Sequence, residues 1–486
     1  MNHCLIFNVE YRSLSRNLGP YRIAHWLREH NWDAEVIDYV HHWTFDELVN
    51  LAKSRITKDT KFLGFSYLFK GWNEDSKKFL VWLKHTYPHL TLISGSNGYP
   101  LEKYAVDWHV WGFGEVAIIN LLKYLFSNGV EPNHIFDFGI KIIDGSKYPS
   151  YPMDNYTVLY ENRDFLQPWE FLSIETARGC KFKCSFCTSS VLGVKEDMST
   201  SAESFERQLK HNWETWGIKN YIITEETFND RTDKISKFAK VVSKLDFDPW
   251  FSAFIRLDLM LARKDDKKTL SDMNCTGHFY GIESFNHATA KALRKGMATS
   301  KVQDGLLSTK EYFNTNNDVY RGNISLILGG PHETKQHLHD GLQWLVDNWS
   351  DQGIGFYPMV IPLSGRKSDL SYTYEKFGYR PVSIEELERR YPNETYALSE
   401  VRRKGRRNLV WENDNMDFAE SIMFHGLYQD TAIKKGFKKS VFSIAGYTGR
   451  NTTLAEKLDA PHKGEDEWLN EEMEWYQEYK NLKMNL

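Results

Sequence analysis

Residues 175–187 read Glu175-Thr176-Ala177-Arg178-Gly179-Cys180-Lys181-Phe182-Lys183-Cys184-Ser185-Phe186-Cys187 and hold three of the five cysteines in the chain. These cysteines follow the spacing C-x3-C-x2-C. Cysteine thiolates hold iron–sulfur clusters, and a [4Fe–4S] cluster normally takes four of them. Three thiolates at this spacing can therefore hold one cluster and leave one iron open, and an open iron can bind a substrate or a cofactor.

Zinc is the alternative occupant of this loop, with a histidine as the fourth ligand beside the three cysteines. Structural zinc sites usually pair two separated knuckles, and the sequence has no second one. Disulfides are not favoured, because the chain begins Met-Asn-His-Cys without the apolar region of a secretion signal. The other two cysteines, Cys4 and Cys275, stand alone in apolar stretches and are predicted to be buried packing residues.

The composition narrows the class of protein. At 486 residues the chain is long enough for about three domains of roughly 150 residues each. The hydrophobic fraction of 41% supports sizeable cores, and a net charge of −4 gives no general attraction to nucleic acid or to an anionic membrane. No apolar run approaches the ~18 residues that cross a bilayer. We therefore expect a cytoplasmic protein in a reducing compartment, without a membrane or nucleic-acid partner.

The first 145 residues alternate apolar strands with amphipathic helices. A first helix opens at Gly19-Pro20, with Ile23, Ala24 and Leu27 spaced for one face. Another helix is predicted over residues 116–126. Strands are predicted at residues 3–9, 34–38, 62–67, 90–94 and 108–111. This alternation predicts an α/β domain with a doubly wound, Rossmann-like parallel sheet.

Later stretches match, in order, those of the radical S-adenosylmethionine (radical SAM) superfamily, which the chain resembles. The matching stretches beyond the cysteines are residues 220–230, residues 252–257, His278–Ser284 with Lys295-Gly296, residues 323–334 and residues 355–365. Gly281-Ile282-Glu283-Ser284 followed by Lys295-Gly296 is typical of the branch that also carries a cobalamin-binding domain. Relatives have Gly-x-Pro-Gly-Glu-Thr where this chain has Gly329-Gly330-Pro331-His332-Glu333-Thr334, so His332 replaces a usual glycine.

The resemblance implies a partial (β/α)6 barrel, and barrels of this kind place their chemistry at the carboxyl ends of the strands. We therefore predict four segments in the α/β chain. They are a cobalamin-binding-like Rossmann domain at 1–145, a linker at 146–165, the radical SAM core barrel at 166–370 and a mainly helical C-terminal region at 371–486.

The resemblance also implies cofactors and their ligands. In that family the open iron chelates the amino and carboxylate groups of SAM, and an electron from the cluster cleaves SAM to a 5′-deoxyadenosyl radical. The implied metal ligands are Cys180, Cys184 and Cys187. The predicted cofactor-binding residues are Glu283 and Ser284 for the ribose, Arg256 and Ser284 for the carboxylate, Phe186, Gly329, Gly330 and Val360 for adenine, and Glu225 beside them. The alternatives are a capping role for Glu283, a structural ion pair for Arg256 and a substrate-facing or solvent-facing position for Glu225.

The N-terminal segment resembles the cobalamin-binding-like domain of such enzymes. The matching features are Gly19-Pro20, Gly64-Phe65-Ser66, Ser94-Gly95-Ser96 and Gly112-x-Gly114-Glu115. Small residues at strand ends would let a corrin or its nucleotide tail come close. Many such domains carry Asp-x-His-x-x-Gly after the first strand, but residues 10–18 contain no histidine. Bound cobalamin and a purely structural domain both stay open.

The C-terminal region is less informative. Its basic cluster, Arg402-Arg403-Lys404-Gly405-Arg406-Arg407, could grip phosphates but is more typical of a solvated face. The segment 468–479 is predicted to be an amphipathic helix that packs on the barrel.

The resulting hypothesis is a radical SAM enzyme that abstracts hydrogen from an unactivated carbon of a small-molecule or peptide substrate. An electron donor such as flavodoxin or ferredoxin is implied. If cobalamin binds, methylation of that carbon is expected; without it, oxidation, epimerisation or rearrangement is open. A methylthiotransferase of RNA would need a second set of three cysteines, which Cys4 and Cys275 cannot supply. A non-catalytic metal-binding protein is the alternative from another class.

Overall fold

The computed structural model of the chain describes residues 2–9, 16–67, 73–96, 106–137, 139–148, 153–189, 198–363, 367–444, 453–460 and 469–486. Within these ranges most strands gather in two large sheets, and the chain after the second sheet is mainly helical. Short 3-10 helices cover Val40–His42, Gly145–Lys147, Met153–Tyr156, Asn162–Asp164 and Tyr374–Phe377.

The N-terminal sheet has helices on both faces. Its strands are β1 (Asn2–Asn8), β2 (Trp32–Ile37), β3 (Thr60–Ser66), β4 (Thr91–Ser96), β5 (Trp108–Trp111), β6 (Ile135–Asp137) and β7 (Ile140–Asp144). Its helices are α1 (Leu18–Arg28), α2 (Phe45–Arg55), α3 (Glu74–Thr86) and α4 (Glu115–Phe126). The strand order is β2-β1-β3-β4-β5-β7-β6, and every described pair is parallel except β6 with β7.

Alternation along the central strand explains the two layers of helices. Successive side chains of a strand point to opposite faces, so Cys4 and Ile6 join the core under α1 and α4, while Leu5 and Phe7 join the core under α2 and α3. The predicted doubly wound sheet is confirmed. The prediction omitted β6 and β7. The edge strand β6 is short and largely exposed, whereas β7 is mostly buried and its apolar residues were a usable signal.

The second sheet forms the partial barrel, and this part of the predicted fold is also confirmed. Its six strands within the described ranges run parallel in the order β15-β14-β13-β12-β11-β8. The strands of this region are β8 (Phe171–Ile174), β9 (Ala177–Arg178), β10 (Met198–Ser199), β11 (Asn220–Ile223), β12 (Trp250–Ile255), β13 (Cys275–Glu283), β14 (Arg321–Leu328) and β15 (Gly353–Pro358). The helices are α5 (Ala202–Trp216), α6 (Thr232–Val242), α7 (Leu257–Ala262), α8 (Lys264–Asp272), α9 (His287–Ala292), α10 (Thr299–Asn316) and α11 (Lys335–Trp349).

The C-terminal region covers the barrel and then returns to the N-terminal sheet. Its elements are α12 (Asp369–Tyr372), β16 (Arg380–Pro381), α13 (Ile384–Arg390), α14 (Thr395–Gly405), β17 (Trp411–Glu412), α15 (Phe418–Lys435), α16 (Val441–Ile444), α17 (Leu454–Leu458) and α18 (Leu469–Met484). The basic cluster lies on α14 and after it. Within that cluster Arg402 pairs with Glu388, and Arg403 pairs with Glu400, on an exposed face.

Helix α18 does not pack on the barrel, so that prediction is wrong. Trp475 and Tyr479 enter the core formed by β1, α2 and α3. The backbone N–H of Asp38 donates to the Tyr479 hydroxyl at 2.9 Å, and the buried Lys483 pairs with Glu35 at 3.1 Å. The aromatic residues of α18 and its polar contacts with Glu35 and Asp38 thus hold it on the N-terminal domain.

None of the helices in the described ranges is both long enough and apolar enough to span a lipid bilayer.

Candidate active site

The cysteine loop leaves β9 through Gly179, whose φ of +97° suits a residue without a side chain. Cys180, Cys184 and Cys187 are all half-buried. Burial raises the pKa of the Cys180 thiol, and the neighbouring Glu226 and Cys187 raise it further. The backbone N–H of Ser189 donates to the sulfur of Cys187 at 3.4 Å. The loop therefore presents three accessible thiols from one short segment.

Three cysteine thiols on one loop are a donor set that suits an iron–sulfur cluster. In the described ranges, no three side chains of His, Cys, Asp or Glu converge on one point that could hold an ion. The thiolates of a [4Fe–4S] cluster each bind a different iron, so they must surround a volume and need not converge.

Arg256 follows β12 and reaches the cysteine loop. Its guanidinium lies 3.8 Å from the centre of the Phe182 ring, and its Nη1 lies 3.9 Å from the sulfur of Cys184. Asp258 accepts from the same guanidinium at 3.0 and 2.7 Å. The structure thus places Arg256 against a predicted metal ligand.

The Gly281-Ile282-Glu283-Ser284 motif has a structural explanation in an ion pair. The Glu283 carboxylate lies 3.3 Å from Nζ of Lys295, and a Cβ built on Gly281 would lie 2.6 Å from that carboxylate. Glycine at 281 therefore leaves room for the pair to form. Glu283 itself has a φ of +69°, at a register shift between β13 and β14. Burial raises the pKa of Glu283, and Lys295 opposes that rise.

Ser284 points to a second buried carboxylate. Its hydroxyl donates to Glu333 at 2.5 Å, and the other Glu333 oxygen accepts from the backbone N–H groups of Gly329 and Gly330 at 2.9 and 3.2 Å. Three of the predicted site residues thus meet at the carboxyl ends of β13 and β14. Glu333 joins these three residues. It belongs to the motif at residues 329–334, but the sequence predicts no role for it.

The remaining predicted cofactor residues lie in different surroundings. Phe186 is half-buried against the main core, and Val360 is 37% exposed just beyond β15. Glu225 is buried, with its carboxylate paired to Lys234 at 2.6 Å and accepting from Thr176 at 2.8 Å. The cofactor contacts of these three residues stay predictions, and the Glu225 carboxylate is the one already occupied by structural partners.

The C-terminal region packs over the same strand ends. Tyr379 donates to the carbonyl of Gly329 at 2.7 Å, and Trp411 donates to the carbonyl of Met359 at 2.9 Å. A Cβ on Gly329, which has a φ of +89°, would lie 2.7 Å from the Trp411 ring. The glycine predicted near adenine is therefore needed to accommodate this aromatic cover.

A cavity of about 390 Å³ lies between the two sheets. One wall comes from the carboxyl ends of β3, β4 and β5, including Gly64, Gly95 and Gly112–Glu115, and the opposite wall includes Ser173, Glu175, Arg178 and Thr224. A Cβ on Gly95 would meet nothing nearer than 3.7 Å. This glycine relieves no clash, and its missing side chain widens the cavity.

Four charged side chains join the domains at one end of this cavity. Arg178, two residues before the first cysteine of the loop, pairs with Glu115 at 2.5 Å and with Glu175 at 2.8 Å. Arg22 of α1 pairs with Glu175 at 2.6 Å. All four side chains are at most 17% exposed. Sequence reasoning assigned them no role, although the spacing of Glu175 and Arg178 beside the cysteines was a usable signal.

Glu333 gives a testable pH dependence. Burial raises the pKa of its carboxyl from 4.5 to about 7, against the opposing hydrogen bonds from Ser284, Gly330 and Gly329. The stability that the protonated form contributes is therefore present below pH 4.5 and is lost as the pH rises through about 7. At 1.36 kcal/mol per pKa unit the loss approaches about 3 kcal/mol.

Glu333→Gln should remove this pH dependence, because the amide can still accept from the glycine N–H groups and donate to Ser284. Urea unfolding of both proteins at pH 5, 6, 7 and 8 measures the effect. We expect the free energy of unfolding of the wild type to fall relative to that of the variant across this range. Parallel curves for the two proteins would contradict the assignment.

Comparison with known proteins connects this site to a family. Residues 174–345 match the model of the radical SAM superfamily. A protein of Pyrococcus horikoshii named as an uncharacterized methyltransferase is 24% identical over 202 residues, which cover 41% of this chain. This match spans 40% of the length of that relative.

Two solved structures share the fold. The radical S-adenosylmethionine methyltransferase TsrM from Kitasatospora setae, with cobalamin and a [4Fe–4S] cluster bound, has a TM-score of 0.61 at 12% identity, covering 78% of this chain and 80% of TsrM. The cobalamin-dependent S-adenosylmethionine radical enzyme OxsB, with aqua-cobalamin bound, has a TM-score of 0.55 at 15% identity, covering 78% of this chain and 56% of OxsB. At these identities the likeness establishes the fold.

Proposed function

We propose that this chain is an enzyme that methylates an unactivated carbon. Its residues 174–345 belong to the radical SAM superfamily, as the cysteine spacing predicts. It would bind a [4Fe–4S] cluster and SAM at the barrel and a corrinoid in the cavity between the sheets. The methyltransferase name of the Pyrococcus relative and the cobalamin bound by TsrM and OxsB support the methylation and the corrinoid.

The position of the 390 Å³ cavity carries the proposal. Its walls are the carboxyl ends of strands from both sheets. Arg178 lines the cavity and is two positions before Cys180 in the sequence. Ligands of open α/β sheets bind at strand carboxyl ends, and barrels carry their chemistry at the same ends. A ligand in this cavity would therefore face both the N-terminal domain and the cysteine loop.

The chain's own residues would bind, orient and enclose the reactants. When bound, the cluster supplies the electron that cleaves SAM, and the corrinoid supplies methyl-transfer chemistry. Cys180, Cys184 and Cys187 would hold the cluster. Glu283 would accept from ribose hydroxyls, and Tyr379 and Trp411 pack over the carboxyl ends of β14 and β15.

The lining of the cavity is mainly apolar with a smaller polar part, and it would suit a ligand held without a histidine from the protein. Residues 10–18 contain no histidine, and no histidine is among the described residues that line the cavity. The described lining instead offers the Ser66 hydroxyl, which suits the amide side chains of a corrin, whereas the buried Ser94 hydroxyl is hydrogen-bonded to Nδ1 of His109 at 2.8 Å. We propose that a corrinoid is held here by its periphery.

Protein reconstituted anaerobically with iron and sulfide, then supplied with hydroxocobalamin and desalted, tests the proposal. Its absorption spectrum reports cluster and corrin, and an assay with dithionite and SAM reports 5′-deoxyadenosine. A four-iron spectrum with retained corrin bands and 5′-deoxyadenosine would support it. Cluster and 5′-deoxyadenosine without corrin would favour oxidation, epimerisation or rearrangement. A cluster without corrin and without 5′-deoxyadenosine would favour a non-catalytic metal-binding protein.

Two glycine variants test whether the corrin binds in this cavity. Gly95→Val adds a side chain that points into the open cavity and suits a strand, so it should reduce corrin retention and leave the cluster intact. Gly426→Ala, in α15 with nothing within 4 Å of the added Cβ, is the control. Equal corrin retention in both variants would place the corrin outside this cavity.

Glu283→Ala should weaken SAM binding and leave the cluster in place. A hydrogen bond to a charged group contributes about 1.5–3 kcal/mol, so we expect the dissociation constant of SAM to rise at least about tenfold. Equilibrium dialysis of the reconstituted protein measures it, with the exposed Glu214→Ala as the control. Unchanged SAM affinity together with lower stability would show that Glu283 serves only its pair with Lys295.

A further inference from the structure

We infer that Arg256 acts on the cluster itself, as a fixed positive charge that donates a hydrogen bond to Cys184 and makes the cluster easier to reduce. The inference rests on the proposed function, because it requires a cluster on the three cysteines. The sequence predicts the SAM carboxylate as the partner of Arg256, and we assign the sulfur of Cys184 to it instead.

Two residues of the cysteine loop contact the guanidinium in different ways. The plane of the guanidinium lies over Phe182, 3.8 Å from the ring centre, which is the geometry of a cation–π contact. Its Nη1 is directed at the sulfur of Cys184, at 3.9 Å. Arg256 therefore contacts the cysteine loop directly, and it also lines a small cavity with Ser284 and Lys295.

The other contacts of Arg256 prevent it from turning away. Nε and Nη2 donate to the two oxygens of Asp258, at 3.0 and 2.7 Å, which leaves Nη1 for the sulfur. The Arg256 backbone is paired with the side chain of Asn229 through both its N–H and its carbonyl, at 2.8 and 2.9 Å. The side chain is 11% exposed, so water screens its charge only in part.

Reduction is the step that such a charge affects. One electron, supplied by dithionite in the test below, takes a [4Fe–4S] core from 2+ to 1+, so that the core together with its thiolate ligands becomes more negative by one charge. Hydrogen bonds to the sulfurs and the net charge nearby set the potential of such clusters. Arg256 should stabilise the reduced form, and Asp258, which carries the opposite charge beside it, should reduce that effect.

Potentiometric titration of the reconstituted protein, followed by electron paramagnetic resonance without SAM, tests the inference. In Arg256→Gln we expect the equilibrium constant for reduction to fall at least about tenfold, which is 59 mV for a one-electron couple. Asp258→Asn should shift the potential in the opposite direction. The control is Arg389→Gln, which removes an exposed arginine paired with Glu386 on α13 and should leave the potential unchanged.

The possible outcomes separate the two proposals. An unchanged potential in Arg256→Gln, with weaker SAM binding, would overturn the inference and return Arg256 to the SAM carboxylate. If Arg256→Gln fails to hold a cluster, Asp258→Asn decides, because an unchanged or lower potential in that variant also overturns it. Absence of a four-iron cluster from the wild type would instead contradict the proposed function.

Discussion

Cys184→Ala is expected to abolish both the four-iron cluster and the formation of 5′-deoxyadenosine. The loop offers three thiols, and a cluster that already leaves one iron open would be left with two protein ligands. Cys184 is also the thiol that Arg256 approaches, so the variant removes a ligand that contacts the rest of the barrel. Iron and sulfide content after anaerobic reconstitution, with the absorption spectrum, measures the loss.

Cys275→Ala is the matched control for this substitution. Cys275 is fully buried at the start of β13 and lies outside the loop. The same change there removes one thiol from the packed core, so we expect lower stability but a full cluster. A full four-iron complement in Cys184→Ala, or its loss in Cys275→Ala, would contradict the ligand assignment.

Arg178→Ala is expected to be the most destabilising of the substitutions considered. Its guanidinium is buried between Glu115 and Glu175, and both carboxylates increase its preference for the charged form. Removing one partner of a buried ion pair costs about 3–5 kcal/mol, and here Arg22 would remain beside both carboxylates, 2.6 Å from Glu175 and 3.9 Å from Glu115. In this variant two carboxylates, one from each domain, lose that partner. Chemical denaturation of the wild type and the variant gives the change in free energy of unfolding.

Two further variants test the physical reason. Arg178→Lys keeps the charge but cannot reach both carboxylates with a planar fork, so we expect an intermediate loss. Arg403→Ala removes an arginine of the basic cluster whose pair with Glu400 is exposed on the arginine side, and such pairs contribute up to about 1 kcal/mol. Equal losses in the free energy of unfolding in Arg178→Ala and Arg403→Ala would show that the buried interdomain ion pairs stabilise the protein no more than an exposed pair does.

The family and the alternation of strands and helices could be predicted from short segments. The spacing of Cys180, Cys184 and Cys187 reflects the coordination chemistry of one loop. The motif that ends at Ser284 reflects the local need for glycine where Glu283 meets Lys295. The carboxyl ends of parallel strands meet at one edge, so residues read separately along the chain could be assigned to one site.

The partners of the charged side chains could not be predicted in the same way. Arg256 has the chemistry to bind the SAM carboxylate, but its contacts with Asp258 and with the sulfur of Cys184 could not be foreseen from its position in the sequence. Glu225 follows a barrel strand as expected, but its buried carboxylate forms an ion pair with Lys234.

The contacts between the two domains are the clearest example of interactions that only the tertiary structure reveals. Arg22, Glu115 and Arg178 come from three distant parts of the chain and meet only because the two sheets place their carboxyl ends together. Helix α18 has an apolar stripe that its sequence reveals, but its place on the N-terminal domain depends on Glu35 and Asp38 being there to receive it. Backbone conformation and metal ligation depend on neighbours in sequence, so spacing reveals them. The pairing of buried charges depends on which elements pack against each other, and no local pattern records that.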